Sequence, residues 1–185
     1  MGRERQLQAR AIAAIGLKQS DTVLDLAGGA GVNFRQLRDK VGSSGRIVAV
    51  DYSDGMLATA RAAARADGWS NIEFRREDAA RLELPPASLD GALCTFGLSA
   101  MPGETAALRR VASALKPGAK CVVLDAKAFT GFARAFNPVA GPIFKYTTNW
   151  DYEKDVLCAI REAFAEVTIE EYNSGSNFIA VATSI

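Results

Sequence analysis

Val23-Leu24-Asp25-Leu26-Ala27-Gly28-Gly29-Ala30-Gly31 decides how this chain is read. A short apolar run ends in the acid Asp25 and opens into a loop holding three glycines, after which Asn33, Phe34 and Leu37 begin a helical pattern. A strand that feeds a glycine loop and then a helix brings backbone close to a nucleotide-like ligand in α/β folds. The carboxylate at the strand's end disfavours a pyrophosphate beside the loop and suits a ligand that carries positive charge.

Working outward, the pattern repeats. Arg46–Asp51 reads as a second buried strand ending in an acid, with Ser53 as N-cap of an alanine-rich helix to about Asp67. Asn71–Arg75 is a third strand and leads to Glu77-Asp78-Ala79, and residues 91–96 form a fourth. Pro102 then starts a helix that Lys116-Pro117-Gly118 stops, and Lys120–Asp125 is a fifth strand. A helix is expected near residues 152–164, and Val167–Tyr172 and Phe178–Thr183 read as a hairpin about the turn at 173–177. Before all of these, residues 3–15 form a helix with Leu7, Ala11, Ile12 and Ile15 on one face. Strand–helix alternation predicts a doubly wound, mostly parallel α/β sheet of seven strands ending in an antiparallel hairpin. Without linker or repeat, residues 1–185 read as one domain, with residues 1–20 as its N-terminal helix.

Composition narrows the function. A net charge of +1 offers no electrostatic case for nucleic acid or an anionic membrane. Cys94, Cys121 and Cys158 are too few and too widely spaced for a disulfide framework or a zinc site, so reduced thiols in or near the core and no metal are expected. The first residues lack a signal peptide's apolar region and no run is long enough to span a bilayer, which gives a cytoplasmic expectation. The chain has no histidine, so imidazole is neither its base nor a metal ligand.

Strand ends in such a sheet share one edge, so Asp25, Asp51 and Asp78 should line one cleft. Asp51 is placed to accept ribose hydroxyls, and Asp78 to accept from an exocyclic amine with the Ala79 backbone at the ring edge. Tyr52 and Met56 supply stacking or apolar surface for a base.

In these segments the chain resembles the class I S-adenosylmethionine-dependent methyltransferases, with their Rossmann-like sheet, and within them the ubiquinone/menaquinone-biosynthesis group. The resemblance covers residues 22–126. Residues 23–31 look like that group's first motif, including Ala27 in place of a glycine; Val50-Asp51-Tyr52-Ser53 with Met56-Leu57 looks like its ribose segment, and Glu77-Asp78-Ala79 like its adenine segment. Cys94-Thr95-Phe96-Gly97-Leu98 resembles the strand end beside the cofactor's methionine part, and Leu115-Lys116-Pro117-Gly118 the signature before the fifth strand. The resemblance implies that Asp25, Ala27, Gly28, Gly29, Ala30, Gly31, Asp51, Tyr52, Met56, Asp78, Ala79 and Thr95 hold S-adenosyl-L-methionine, with S-adenosyl-L-homocysteine as product. Where the quinone enzymes continue with Arg-Asn after Phe-Gly-Leu, this chain has Ser99 and Ala100, so the resemblance carries the cofactor and leaves the acceptor open.

Methyl transfer from a sulfonium needs alignment and a dry pocket more than a dedicated base. Asp125, Tyr146 and Lys127 are the candidate bases and none is singled out. Residues 127–152 hold seven of the chain's fifteen aromatic residues, which marks this segment for the acceptor. It reads as a lid over a flat or apolar molecule, as a surface that dips into a membrane interface, or as a loop packed on the core or a dimer contact. Phe96, Leu98 and Met101 form the expected inner wall, with Phe144, Tyr146 and Trp150 opposite. The leading expectation is methylation of a small hydrophobic or aromatic acceptor, quinone-like or a secondary metabolite, by a monomer or homodimer. Phospholipid or fatty-amine N-methylation, and a non-catalytic cofactor-binding partner subunit, are the alternatives.

Overall fold

Thr22–Leu26 (β1) is flanked by two parallel neighbours, Arg46–Asp51 (β2) and Leu89–Thr95 (β4), in a computed structural model that describes residues 2–128 and 154–185. Ile72–Arg76 (β3) pairs outside β2, and Leu115–Ala126 (β5) outside β4, both parallel. Glu166–Tyr172 (β6) and Asn177–Thr183 (β7) close the sheet, giving the order β3-β2-β1-β4-β5-β7-β6. β7 is antiparallel to both β5 and β6, so the hairpin expected at the C-terminus inserts its second strand next to β5. The direction of winding reverses between β1 and β4, the position outside whose carboxyl ends such sheets bind ligands.

Residue parity along the strands sorts the core into two layers. Val23, Ile47, Ala49, Leu93 and Val122 face the helices Arg3–Ile15 (α1), Phe34–Val41 (α2) and Asp54–Ala66 (α3). Leu24, Leu26, Val48, Val50 and Val123 face Glu104–Ala114 (α4) and Val156–Ala163 (α5). Leu7, Ala11, Ile12 and Ile15 are buried on one face of α1, as its spacing predicts. Because side chains alternate along a strand, Asp25 shares the α2 face with Val23, Asp51 with Ala49, and Thr95 with Leu93. Three polar side chains from adjacent strands thus meet beneath the start of α2.

Several boundaries differ from expectation for local reasons. β3 begins at Ile72, after Asn71, whose side chain donates to the carbonyls of Gly42 and Gly45 in the α2–β2 connection and accepts from Arg38 Nε. The helix expected from Pro102 begins at Glu104, since Gly103 takes the N-cap in a left-handed conformation (φ 71°). The helix expected from residue 152 runs over Val156–Ala163, with Asp155 capping it through Cys158 N; residues 152 and 153 lie outside the described residues. Ser53 caps α3 as predicted, accepting from Met56 N. Cys94 and Cys121 are buried as expected, whereas Cys158 is exposed on the outer side of α5. Among the described residues no helix is long and apolar enough to cross a membrane.

Candidate functional site

The loop after β1 takes left-handed backbone at alternate residues: Ala27 (φ 53°), Gly29 (φ 55°) and Gly31 (φ 83°). At Gly31 glycine is needed twice over, since a Cβ there would also come within 2.4 Å of the buried Phe34 ring. Phe34 stands edge-on to Phe74 of β3 with ring centroids 5.8 Å apart, which fixes the loop–helix junction against the sheet. Gly28 is required for a different reason: a Cβ would lie 2.6 Å from Asp25 Oδ2, so the loop can cross directly over that carboxylate only without a side chain.

The strand-end acids fall into distinct environments. Asp51 ties the loop to β2, with Oδ2 accepting from Gly29 N at 2.9 Å and Oδ1 from Ser53 N at 2.8 Å. Each of its oxygens retains a further lone pair for a ligand hydroxyl. Asp78 caps the 3₁₀ turn Ala79–Arg81 through Ala80 N at 3.0 Å, and its other oxygen faces Arg81 Nε at 3.9 Å. Tyr52 and Met56, expected beside a base, are 74% and 49% exposed, an unusual position for large apolar groups on adjacent turns.

Asp25 is completely buried. Asn33 Nδ2 donates to Asp25 Oδ1 and to Thr95 Oγ1, each at 3.0 Å, so one amide bridges β1 and β4. Asp25 Oδ2 and Asn33 Oδ1 are left without a donor. Burial is the main cause that raises the Asp25 carboxyl to about 7; the Asn33 hydrogen bond opposes the rise and the nearby Asp51 charge adds to it. The loop therefore presents an acidic, donor-poor underside, suited to an ammonium or sulfonium and hostile to phosphate. That chemistry fits S-adenosylmethionine.

At the end of β4, Phe96 is also left-handed (φ 54°), a costly conformation for a bulky residue and one that gathers at functional sites. Gly97 follows, and a Cβ there would sit 2.6 Å from Ala27 Cβ, so the loops after β1 and β4 touch. Phe96 and Met101 are half-buried, whereas Leu98 is fully enclosed in the core and backs the site from within. Asp125, a candidate base, is buried and locked to this loop: its oxygens accept from Ser99 N (3.0 Å), Ser99 Oγ (2.6 Å) and Ala126 N (2.7 Å). Burial raises its carboxyl while these hydrogen bonds oppose the rise. Lys127 pairs with Glu171. Phe144, Tyr146 and Trp150, and all but the first two residues of the aromatic segment, lie outside the described residues.

Sequence reasoning placed the three acids at neighbouring strand ends beside the loop, but expected Asp25 to line a cleft where it is wholly buried, and overlooked Asn33 as more than a helix start and Ser99 as more than a departure from a motif. The available signal for Asn33 was a polar residue directly after the glycine loop, at a helix's apolar first turn. For Ser99 there was none, since its partner lies 26 residues away on β5.

Residues 23–118, more than half of the chain, match the family described as a methyltransferase domain. The ubiquinone/menaquinone biosynthesis C-methyltransferase UbiE of Pseudomonas putida is 33% identical over 138 residues, covering 69% of this chain and 54% of that protein. The chain thus spans about half the length of that curated relative. An S-adenosylmethionine-dependent methyltransferase from Aquifex aeolicus superposes with a TM-score of 0.74 at 19% identity, over 96% of this chain and 89% of that one. Phosphoethanolamine N-methyltransferase 2 of Haemonchus contortus, solved in complex with S-adenosyl-L-methionine, gives 0.78 at 16% identity, over 97% of this chain and 52% of that one. These likenesses show a shared fold.

Proposed function

The chain belongs to the methyltransferase-domain family of the S-adenosylmethionine-dependent kind, and we propose that it transfers a methyl group to a small hydrophobic or aromatic acceptor, quinone-like in its chemistry. The observation that carries this is the buried Asp25, with one oxygen unpartnered beneath Gly28, in a loop fastened to Asp51. The cofactor supplies a methyl group already activated on a positive sulfur. The chain's own residues do the remaining work. Asp51 accepts from the ribose hydroxyls, Tyr52 and Met56 cover the base, and Asp78 with Ala79 meets its edge. Thr95 stands beside the cofactor's methionine part, and Phe96 and Met101 line the side toward the acceptor. Gly28, Gly29 and Gly31, with Ala27 and Ala30 between them, let the backbone pass close to the ligand.

Likeness to a ubiquinone/menaquinone biosynthesis C-methyltransferase supports a quinone-like acceptor. The Ser99 hydroxyl and amide, at the position of the relatives' arginine, are both engaged by Asp125, so this loop offers the acceptor no cation from that position. A neutral, apolar acceptor is the consequence. Isothermal titration with S-adenosylhomocysteine tests the cofactor, and incubation with methyl-labelled S-adenosylmethionine and a panel of hydroquinones, phenols and lipid amines tests the acceptor. Binding with label in a hydroquinone or phenol is expected; label only in lipid amines overturns the acceptor assignment.

A further inference from the structure

Asp25 Oδ2 and Asn33 Oδ1 are both buried acceptors without a donor, on two residues joined by a hydrogen bond. Neither side chain is free to turn away. Asn33 Nδ2 is committed to Asp25 Oδ1 and Thr95 Oγ1, which fixes the amide plane and the direction of its own free oxygen. Asp25 Oδ2 is enclosed directly against Gly28 of the loop, where a Cβ would lie 2.6 Å from it. Asp51 from β2 is the charged group that acts on Asp25, and Cys94 of β4 lies on the other face of the sheet. Asp51 opposes a second negative charge, and Cys94 is a thiol that burial holds neutral, so neither compensates a carboxylate at this position.

We propose that uptake of an ammonium-bearing cofactor by the glycine loop is coupled to loss of one proton from Asp25, and that Asn33 is the positioning residue that sets the pH of this exchange. The inference rests on the cofactor reading above. In the empty protein Asp25 is neutral on the acid side of about 7. When a cation arrives, the O–H bond of the carboxyl breaks, its proton passes to solvent, and Oδ2 accepts an N–H of the ammonium. The Asn33 amide donates to the other oxygen throughout. That bond favours the charged form, so its removal raises the pH at which Asp25 ionises.

Isothermal titration of the full chain with S-adenosylhomocysteine, between pH 5.5 and 7.5 in buffers of differing ionisation enthalpy, tests this below the titration of an ordinary α-amine. Close to one proton released at pH 5.5 is expected, falling as pH rises through about 7, with affinity increasing roughly tenfold per pH unit on the acid side. Asp25→Asn should bind with no buffer-dependent heat and a flat pH profile. Asn33→Leu should still release the proton, with its midpoint moved to higher pH; a residue that only supports the loop would weaken binding equally at every pH and leave the midpoint in place. Should either variant fail to fold, the buffer dependence of the unmodified chain decides alone. Binding with the same heat in every buffer overturns the inference and leaves the cofactor reading standing. No binding at any pH overturns both.

Discussion

The backbone N–H of Gly29 donates to Asp51 Oδ2 at 2.9 Å, so the second glycine of the loop is fastened to the acid at the end of the neighbouring strand. One carboxylate thereby shapes the loop and, in the proposed complex, also accepts from the ribose. Asp51→Ala should weaken S-adenosylhomocysteine binding by roughly tenfold to a hundredfold, since hydrogen bonds to a charged group are worth about 1.5–3 kcal/mol. Calorimetry that finds unchanged affinity would mean that the ribose lies elsewhere.

Gly31 and Gly29 are both left-handed, but only Gly31 is also crowded, with the Phe34 ring in the place of a side chain. Gly31→Ala should cost about 2–4 kcal/mol from strain and overpacking together, and Gly29→Ala about 1–2 kcal/mol from backbone strain alone. Urea denaturation of the two variants side by side checks the order, and equal losses would contradict it.

Asp25 gives a pH dependence of known sign. Its carboxyl lies at about 7 in the folded chain against an ordinary value of 3.8, so between these the folded state holds the proton more tightly than the unfolded. This residue's contribution to stability therefore falls as pH rises from about 4 to about 7, by at most about 1.4 kcal/mol per unit. Asp25→Asn does not titrate. Its stability relative to the parent chain should rise between pH 5 and pH 7.5, measured without cofactor by denaturant titration; a constant difference would refute the assignment.

The Ser99 hydroxyl meets Asp125 Oδ1 at 2.6 Å inside the protein, tying the loop after β4 to the end of β5. Ser99→Ala leaves a buried carboxylate short of one donor and should destabilise the fold by about 1–3 kcal/mol. A loss below about 0.5 kcal/mol in thermal or chemical unfolding would show that the link is idle.

Tyr52 and Met56 contribute little to the core, being largely exposed. Tyr52→Ala should leave stability within about 0.5 kcal/mol of the parent while reducing cofactor affinity several-fold. Unchanged affinity in calorimetry would remove the residue from the base-binding surface.

Apolar runs that end in acids, a glycine loop before a helix, and a polar turn between two β-rich runs were legible in the chain alone and gave a mostly parallel sheet closed by a hairpin. Those are local signals, because alternation, caps and turn residues act within a few positions of one another. Where β3 starts one residue later than expected, the Asn71 side chain bonds Gly42 and Gly45 while its backbone carbonyl still accepts from Ile47 N. Likewise the alignment of Asp25, Asp51 and Asp78 along one edge was legible, since parallel strands must end together.

Tertiary structure alone decided what each acid can do. Three carboxylates with the same place at a strand's end become a ligand for the loop's own amide (Asp51), a cap of a 3₁₀ turn (Asp78) and a buried, half-satisfied group (Asp25). The Asn33 bridge from β1 to β4 and the Ser99–Asp125 link exist only once β4 lies between β1 and β5. The reason is physical: periodicity in a chain reports which face a residue takes, whereas desolvation and hydrogen-bond partnership depend on atoms that the fold brings from elsewhere.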